Sequence, residues 1–241
     1  MPSELREIGP TFLTTRWTVV LRAADPDSQA AREELARLYW FPLYALGRRQ
    51  GLNPADADDA VQTFLGRLLA PGQLANLSSE GGRFRDFLRV SFQNQLISTH
   101  RASISQRRRP EGGFVPRDGL DPEATLALEP VDSHTPELAY DRCCARVLLD
   151  ATLERLRAEY ERLGRTALFL HLSQYLDGDP EEATHAAAAA RLGLSEGTVR
   201  NAVKPFRIRF QELFRQHVAA TLEDPVQVDD EIRHLMAALA S

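Results

Sequence analysis

The chain has 241 residues, of which 43% are hydrophobic and 26% charged, the balance of a globular protein with a core to bury rather than of a disordered or fibrous chain. No apolar run nears the ~18 residues of a membrane span, residues 1–10 are too polar for a secretory signal, and the two cysteines, Cys143 and Cys144, are chain neighbours that do not suit a bridge. These features argue against membrane-spanning, secreted and disulfide-framed classes and predict the reducing cytoplasm, without a membrane partner. The formal net charge of −5 argues against a protein that coats nucleic acid. The charge is uneven, however. Arg83, Arg85, Arg89, Arg101, Arg107, Arg108 and Arg109 cluster in 81–110, whereas Glu223, Asp224, Asp229, Asp230 and Glu231 dominate 221–241, so any nucleic-acid contact is expected to be local.

In chain order, the pattern predicts helices. Ser28 precedes the apolar series Ala31, Leu35 and Leu38, which runs through Tyr39-Trp40-Phe41 to Leu46 with a kink expected at Pro42. Asn53-Pro54 reads as an N-cap followed by proline at the first helical position, and Ala57, Ala60, Val61, Phe64, Leu65 and Leu68 follow at helical spacing. Beyond a glycine- and proline-containing loop over 71–82, the residues Phe84, Phe87, Leu88, Phe92 and Leu96 mark another amphipathic helix with arginines on its other faces. Periodicity vanishes from about 105 to 134, where prolines 110, 116, 122 and 130 and three glycines predict a flexible linker. Thr135-Pro136 repeats the cap signal and opens a helix to about Leu163; shorter helices are expected near 166–176 and 184–192, then a long one from Ser195. No strand pattern emerges. The expected fold is all-α: helical domains at 11–104 and 135–217, the linker 105–134 between them, and an acidic tail at 218–241 whose apolar positions predict an amphipathic helix that docks on the protein or meets a partner.

Segment 184–204 has the form of a helix-turn-helix. A short alanine helix ends at Leu192, Gly193 supplies a left-handed turn, Leu194 is expected to plug the corner, and Ser195 can cap the second helix. Val199, Ala202 and Val203 would face inward. Glu196, Thr198, Arg200, Asn201 and Lys204 would face outward, the polar and basic surface that a recognition helix offers a major groove. The alternative is an ordinary helical hairpin with a solvated face. The run Gly193-Leu194-Ser195-Glu196-Gly197 also matches the G-x-S-x-G nucleophile elbow, but that motif requires a strand before the serine, and a helix is expected there.

Several ordered motifs together resemble bacterial sigma factors of the extracytoplasmic-function type, and more closely a planctomycete-like subgroup, over about 11 to 236. These are Thr11–Trp17 (TFLTTRW), Tyr39–Tyr44 (YWFPLY), Asp56–Phe64 (DADDAVQTF), Gly82–Phe87 (GRFRDF), the helix-turn-helix and Asp229–Leu235 (DDEIRHL). The resemblance implies that 11–104 is sigma domain two and 135–217 sigma domain four, binding the β′ clamp helices and β flap of core RNA polymerase and promoter DNA. Asp56, Asp59, Gln62 and Arg67 would then face the polymerase, although helix-dipole stabilisation alone accounts for aspartates in a first turn. Arg83, Arg85, Arg89 and Arg101 would neutralise phosphates, with Asn94, Gln95 and His100 reaching bases of an opened strand. Glu196, Thr198, Arg200, Asn201 and Lys204 would read the minus-thirty-five element, with arginine suited to guanine and lysine to phosphate. Phe84, Phe87 and Phe92 could stack on bases, but their helical spacing favours core.

Pro205 departs from the family pattern, which commonly has a basic residue there, and it predicts a kink or helix end after Lys204. No P-loop, paired-carboxylate or H-E-x-x-H pattern is present, so no cofactor, metal or covalent catalysis is expected. An anti-sigma factor or another regulator is a further partner class. The rival reading is a stand-alone helix-turn-helix regulator that binds duplex DNA unaided, and an interaction adaptor without promoter activity is a third.

Overall fold

A computed structural model describes residues 18–25, 27–74, 83–103, 121–127, 135–176, 185–222 and 224–241. The motif Thr11–Trp17, most of the loop 71–82 and most of the segment 105–134 lie outside the described residues. The fold is all-α, with no strand among the described residues. The helices are α1 (Thr18–Ala24), α2 (Gln29–Arg49), α3 (Pro54–Leu68), α4 (Phe84–Ser103), α5 (Pro122–Ala127), α6 (Pro136–Arg162), α7 (Thr166–Leu172), α8 (His185–Leu192), α9 (Glu196–Ala219) and α10 (Val228–Ala240). Among the described residues no helix is long and apolar enough to cross a membrane.

Helix starts follow the capping chemistry of the sequence. Asn53 accepts a hydrogen bond from the Asp56 amide at 2.9 Å, Thr135 from Leu138 at 3.3 Å and Ser195 from Thr198 at 3.1 Å, each satisfying a first-turn donor that the helix itself cannot. Proline follows the first two caps, where its missing N–H costs nothing. The prolines inside helices do not end them. Pro42 lies buried within α2 and Pro205 within α9, and both helices continue past them. Pro205 is exposed, so the Asn201 carbonyl that loses its i+4 donor faces water instead of an apolar interior.

The main core joins Val20, Leu35, Tyr39, Leu43, Tyr44, Val61, Phe64, Phe84, Leu88 and Phe92 to Tyr140, Cys144, Leu148, Phe214, Val218 and Leu235. This single cluster draws on helices from both sides of 105–134. A second cluster, Leu156, Leu168, Phe169, Leu172, Phe206 and Leu213, holds α7 between α6 and α9. A third, Ala188, Ala189 and Val199, seats α8 on the start of α9. The long helices α6 and α9 thus contribute to more than one cluster, and α6 packs on α2, α9 and α10. Cys143 and Cys144 are buried free thiols.

Helix α5 departs from the expected linker. Six residues make a marginal helix alone, and this one is held from outside. Glu123 accepts from the Tyr44 hydroxyl at 2.5 Å and from Arg48 at 2.8 and 2.9 Å. The Arg48 and Tyr44 hydrogen bonds pull the Glu123 carboxyl down to about 2 from 4.5, while burial, then Glu123, pushes the Tyr44 hydroxyl up to about 12. A depressed carboxyl contributes stability above its unfolded value that is lost as pH falls through the folded one. Docking of α5 on α2 therefore weakens between pH 4.5 and about 2. The Trp40 ring stacks on Tyr44 at 5.1 Å and reports this directly. In a Trp17→Phe background, Trp40 emission should titrate in that window, and Glu123→Gln should abolish the step; persistence of the step in Glu123→Gln would contradict the assignment.

Candidate nucleic-acid interface

The second helix of the helix-turn-helix is α9. Gly193 adopts φ +65°, a left-handed conformation that strains other residues, and Leu194 N–H closes the end of α8 on the Ala189 carbonyl at 3.0 Å. Leu194 itself is 40% exposed; the corner is filled by Leu192, packed on Ala188, Ala189 and Val199, and not by Leu194 as expected. Ser195 then caps α9, and its hydroxyl also meets Thr198 Oγ1 at 2.7 Å. A helix precedes this serine and its oxygen is engaged in capping, so the geometry of a nucleophile elbow is not formed.

At about 100° per residue, Ala202, Phe206, Val199 and Val203 of α9 fall on one arc. Val199 and Phe206 are fully buried, and Ala202 and Val203 are packed against the second cluster. Arg200, Asn201 and Lys204 fall on the opposite arc, Glu196 and Thr198 flank the apolar arc on its two sides, and all five are exposed. Arg200 pairs with Glu196 one turn before it, an exposed i,i+4 contact of little stabilising value. Later basic residues of α9 are engaged. Arg207 donates to the Tyr175 carbonyl at 2.8 Å, Arg209 holds Glu159 at 2.6 and 2.9 Å, and Arg215 pairs with Asp229. Beneath the motif, buried His171 packs edge-on against Tyr175 and His185; burial, then the charge of His185 and Arg191, lowers its pKa. Farther along α9, burial and then Arg155 lower the pKa of His217. Thr152 gives its one hydrogen to the Leu148 carbonyl at 2.7 Å, so the 2.9 Å contact requires His217 Nδ1–H to donate to Thr152.

On α3, Asp56, Asp59 and Arg67 are exposed and Gln62 is half-buried, one broad face opposite Ala57, Val61, Phe64 and Leu65. Asp56 also accepts the Asn53 side-chain amide at 2.7 Å, so its carboxylate serves the helix start.

The start of α4 corrects the sequence reading most. Arg85, expected to neutralise phosphate, is only 4% exposed. Its guanidinium donates to Glu231 at 2.5 and 3.2 Å and to Asp141, and Arg83 reaches the same Glu231 at 2.8 Å. Burial alone would lower the Arg85 pKa, but the Glu231 hydrogen bond and the Asp141 and Glu231 charges hold it above the ordinary arginine value. His234 touches the other Asp141 oxygen at 2.8 Å, and buried Tyr140 donates to the Arg85 carbonyl at 3.0 Å. Arg89 lies 3.6 Å from Asp86, and Asn94 is exposed. Gln95, expected to reach bases, donates instead to the Ala60 carbonyl at 3.1 Å and so ties α4 to α3. The His100 and Arg101 side chains lie outside the described residues. Phe84 and Phe92 are buried core and Phe87 packs against it, as helical spacing suggested. Glu231 and Asp141 carried no signal as partners of Arg85, because only the tertiary fold brings them together.

Compared with protein-family models, curated proteins and solved structures, the chain matches none.

Proposed function

We propose that this chain is a promoter-specificity subunit, a sigma factor that recruits core RNA polymerase to DNA in the cytoplasm and helps open it. The observation that carries the reading is the outward arc of α9. Behind a serine cap and a left-handed glycine turn, Thr198, Arg200, Asn201 and Lys204 are presented together, and the opposite arc is anchored by Val199 and Phe206. Side chains in the first two turns of such a helix reach base edges. Arg200 and Asn201 have the bidentate groups that distinguish guanine and adenine, and Lys204 suits a phosphate. The separate face on α3, with exposed Asp59 and Arg67 and half-buried Gln62, supplies the polymerase contact, to the β′ clamp helices, while the second half of the chain meets the β flap. The chain itself would make no covalent bond and carry no cofactor. An anti-sigma factor is a partner of the same proposal, competing for these surfaces.

One observation favours a second reading, a stand-alone helix-turn-helix regulator: Glu231 occupies Arg83 and Arg85, whereas Arg200 and Lys204 of α9 are exposed. Footprinting on duplex DNA with and without core polymerase separates the two. The sigma reading expects protection only with polymerase. It also expects Arg200→Ala and Asn201→Ala each to cost about 1–3 kcal/mol at one base position, and Lys204→Ala to weaken all sequences alike. Protection by the chain alone would favour the regulator.

A further inference from the structure

The two arginines that open α4 already hold an anion. The Glu231 carboxylate takes Arg85 Nε on one oxygen at 2.5 Å and Arg85 Nη2 on the other at 3.2 Å, and Arg83 Nε adds a third donor at 2.8 Å. A planar guanidinium forked onto two oxygens of a singly charged group, with a second guanidinium beside it, is the donor set that also holds a phosphodiester. The charges around it fit an exchange of anions. Asp141 from α6 and Asp86 stay beside Arg85 whichever anion is bound, so withdrawing Glu231 leaves Arg83, Arg85 and Arg89 against two carboxylates, with one positive charge uncompensated. Arg89, on the next turn of α4, extends the cationic row.

Glu231 is carried on a separate helix. Helix α10 is a single helix of 13 residues, fastened on α6 and α9 by Val228 and Leu235, by an exposed Arg215–Asp229 pair and by Arg142 donating to the Ala238 carbonyl at 3.1 Å.

We infer that Arg83 and Arg85 form a binding site for nucleic-acid phosphate, and that Glu231 on α10 is its built-in competitor, a carboxylate seated where the phosphate would sit. The inference rests on the nucleic-acid reading above and adds a regulation to it: the acidic tail and DNA exclude each other at α4.

The test uses the full chain and a labelled single-stranded oligonucleotide, read by fluorescence anisotropy at low salt. Glu231→Gln keeps the shape and removes the charge; it should raise affinity about tenfold, within the usual range of coupling between two exclusive ligands, and Arg83→Ala added to it should cancel the gain. Coupling is reciprocal, so saturating oligonucleotide should speed amide exchange in α10 of the wild-type chain, a measurement that stands even where Glu231→Gln fails to fold. A folded Glu231→Gln that binds like wild type, or α10 exchange unchanged by oligonucleotide, overturns the inference. Arg200→Ala and Lys204→Ala, assayed on duplex promoter DNA with core polymerase, separate the two claims. Loss there with no Glu231 effect keeps the sigma reading and removes the competitor; a Glu231 effect with no loss there keeps the competitor and removes the sigma reading.

Discussion

Replacing Arg85 by alanine lowers stability by about 3–5 kcal/mol at pH 7, because it leaves two carboxylates without their main countercharge in a buried place. Glu231 has a side chain only 2% exposed and Asp141 one of 13%. Arg83 remains on Glu231 and His234 on Asp141, but Arg83 is 29% exposed and His234 43%, so water weakens what they can offer. The loss is read as a fall in the urea midpoint at constant slope. Removing the whole group has a different effect, since the desolvation cost of the charges disappears together with their attraction. The triple variant Arg85→Met, Asp141→Leu, Glu231→Leu should therefore be more stable than Arg85→Ala alone. If Arg85→Ala costs less than about 1 kcal/mol, a value typical of exposed pairs, the buried cluster is not what holds α4, α6 and α10 together.

Phe206→Ala should cost a similar ~3–5 kcal/mol, by cavity formation instead of charge. Phe206 is fully buried, edge-on to Tyr160 at 5.6 Å and to Phe169 at 5.9 Å, in a cluster of six buried residues among those described. It also follows Pro205 directly, so it anchors α9 where one helical hydrogen bond is already missing. The loss should be local. Amides of α7 and α8 should lose exchange protection before those of α2 to α4, whose buried side chains belong to the main cluster. A uniform loss across all helices would mean that the two clusters melt as one unit.

Much of the fold was legible because it is written in short-range chemistry. Asn53, Thr135 and Ser195 are caps whose partners lie three residues away, and Gly193 marks a turn by its own backbone freedom; such signals need no tertiary knowledge. Helix α5 was not legible, because its flanking prolines and glycines describe the chain and not the Arg48 and Tyr44 side chains that hold Glu123 from 75 and 79 residues away. Leu194 was misplaced because a short corner can be filled from either side, and Leu192 fills it. The site divides in the same way. The outward arc of α9 follows from helical periodicity around Val199 and Phe206. The arginines of α4 look alike in sequence, yet Arg85 is sealed and Arg89 is not; the difference is made by Glu231, 146 residues downstream of Arg85, and by Asp141. A charge run read along the chain reports composition, and only packing decides which charges meet solvent.

Runoff transcription with purified core polymerase on a pool of random promoter templates, comparing wild type with Asp59→Ala/Gln62→Ala, shows whether this chain directs polymerase to promoters. Wild type should give discrete transcripts that are lost in the variant, whose far-UV circular dichroism should be unchanged. Failure of the wild-type chain to bind core polymerase, while it still binds duplex DNA by itself, would contradict a sigma-factor role and leave a stand-alone regulator.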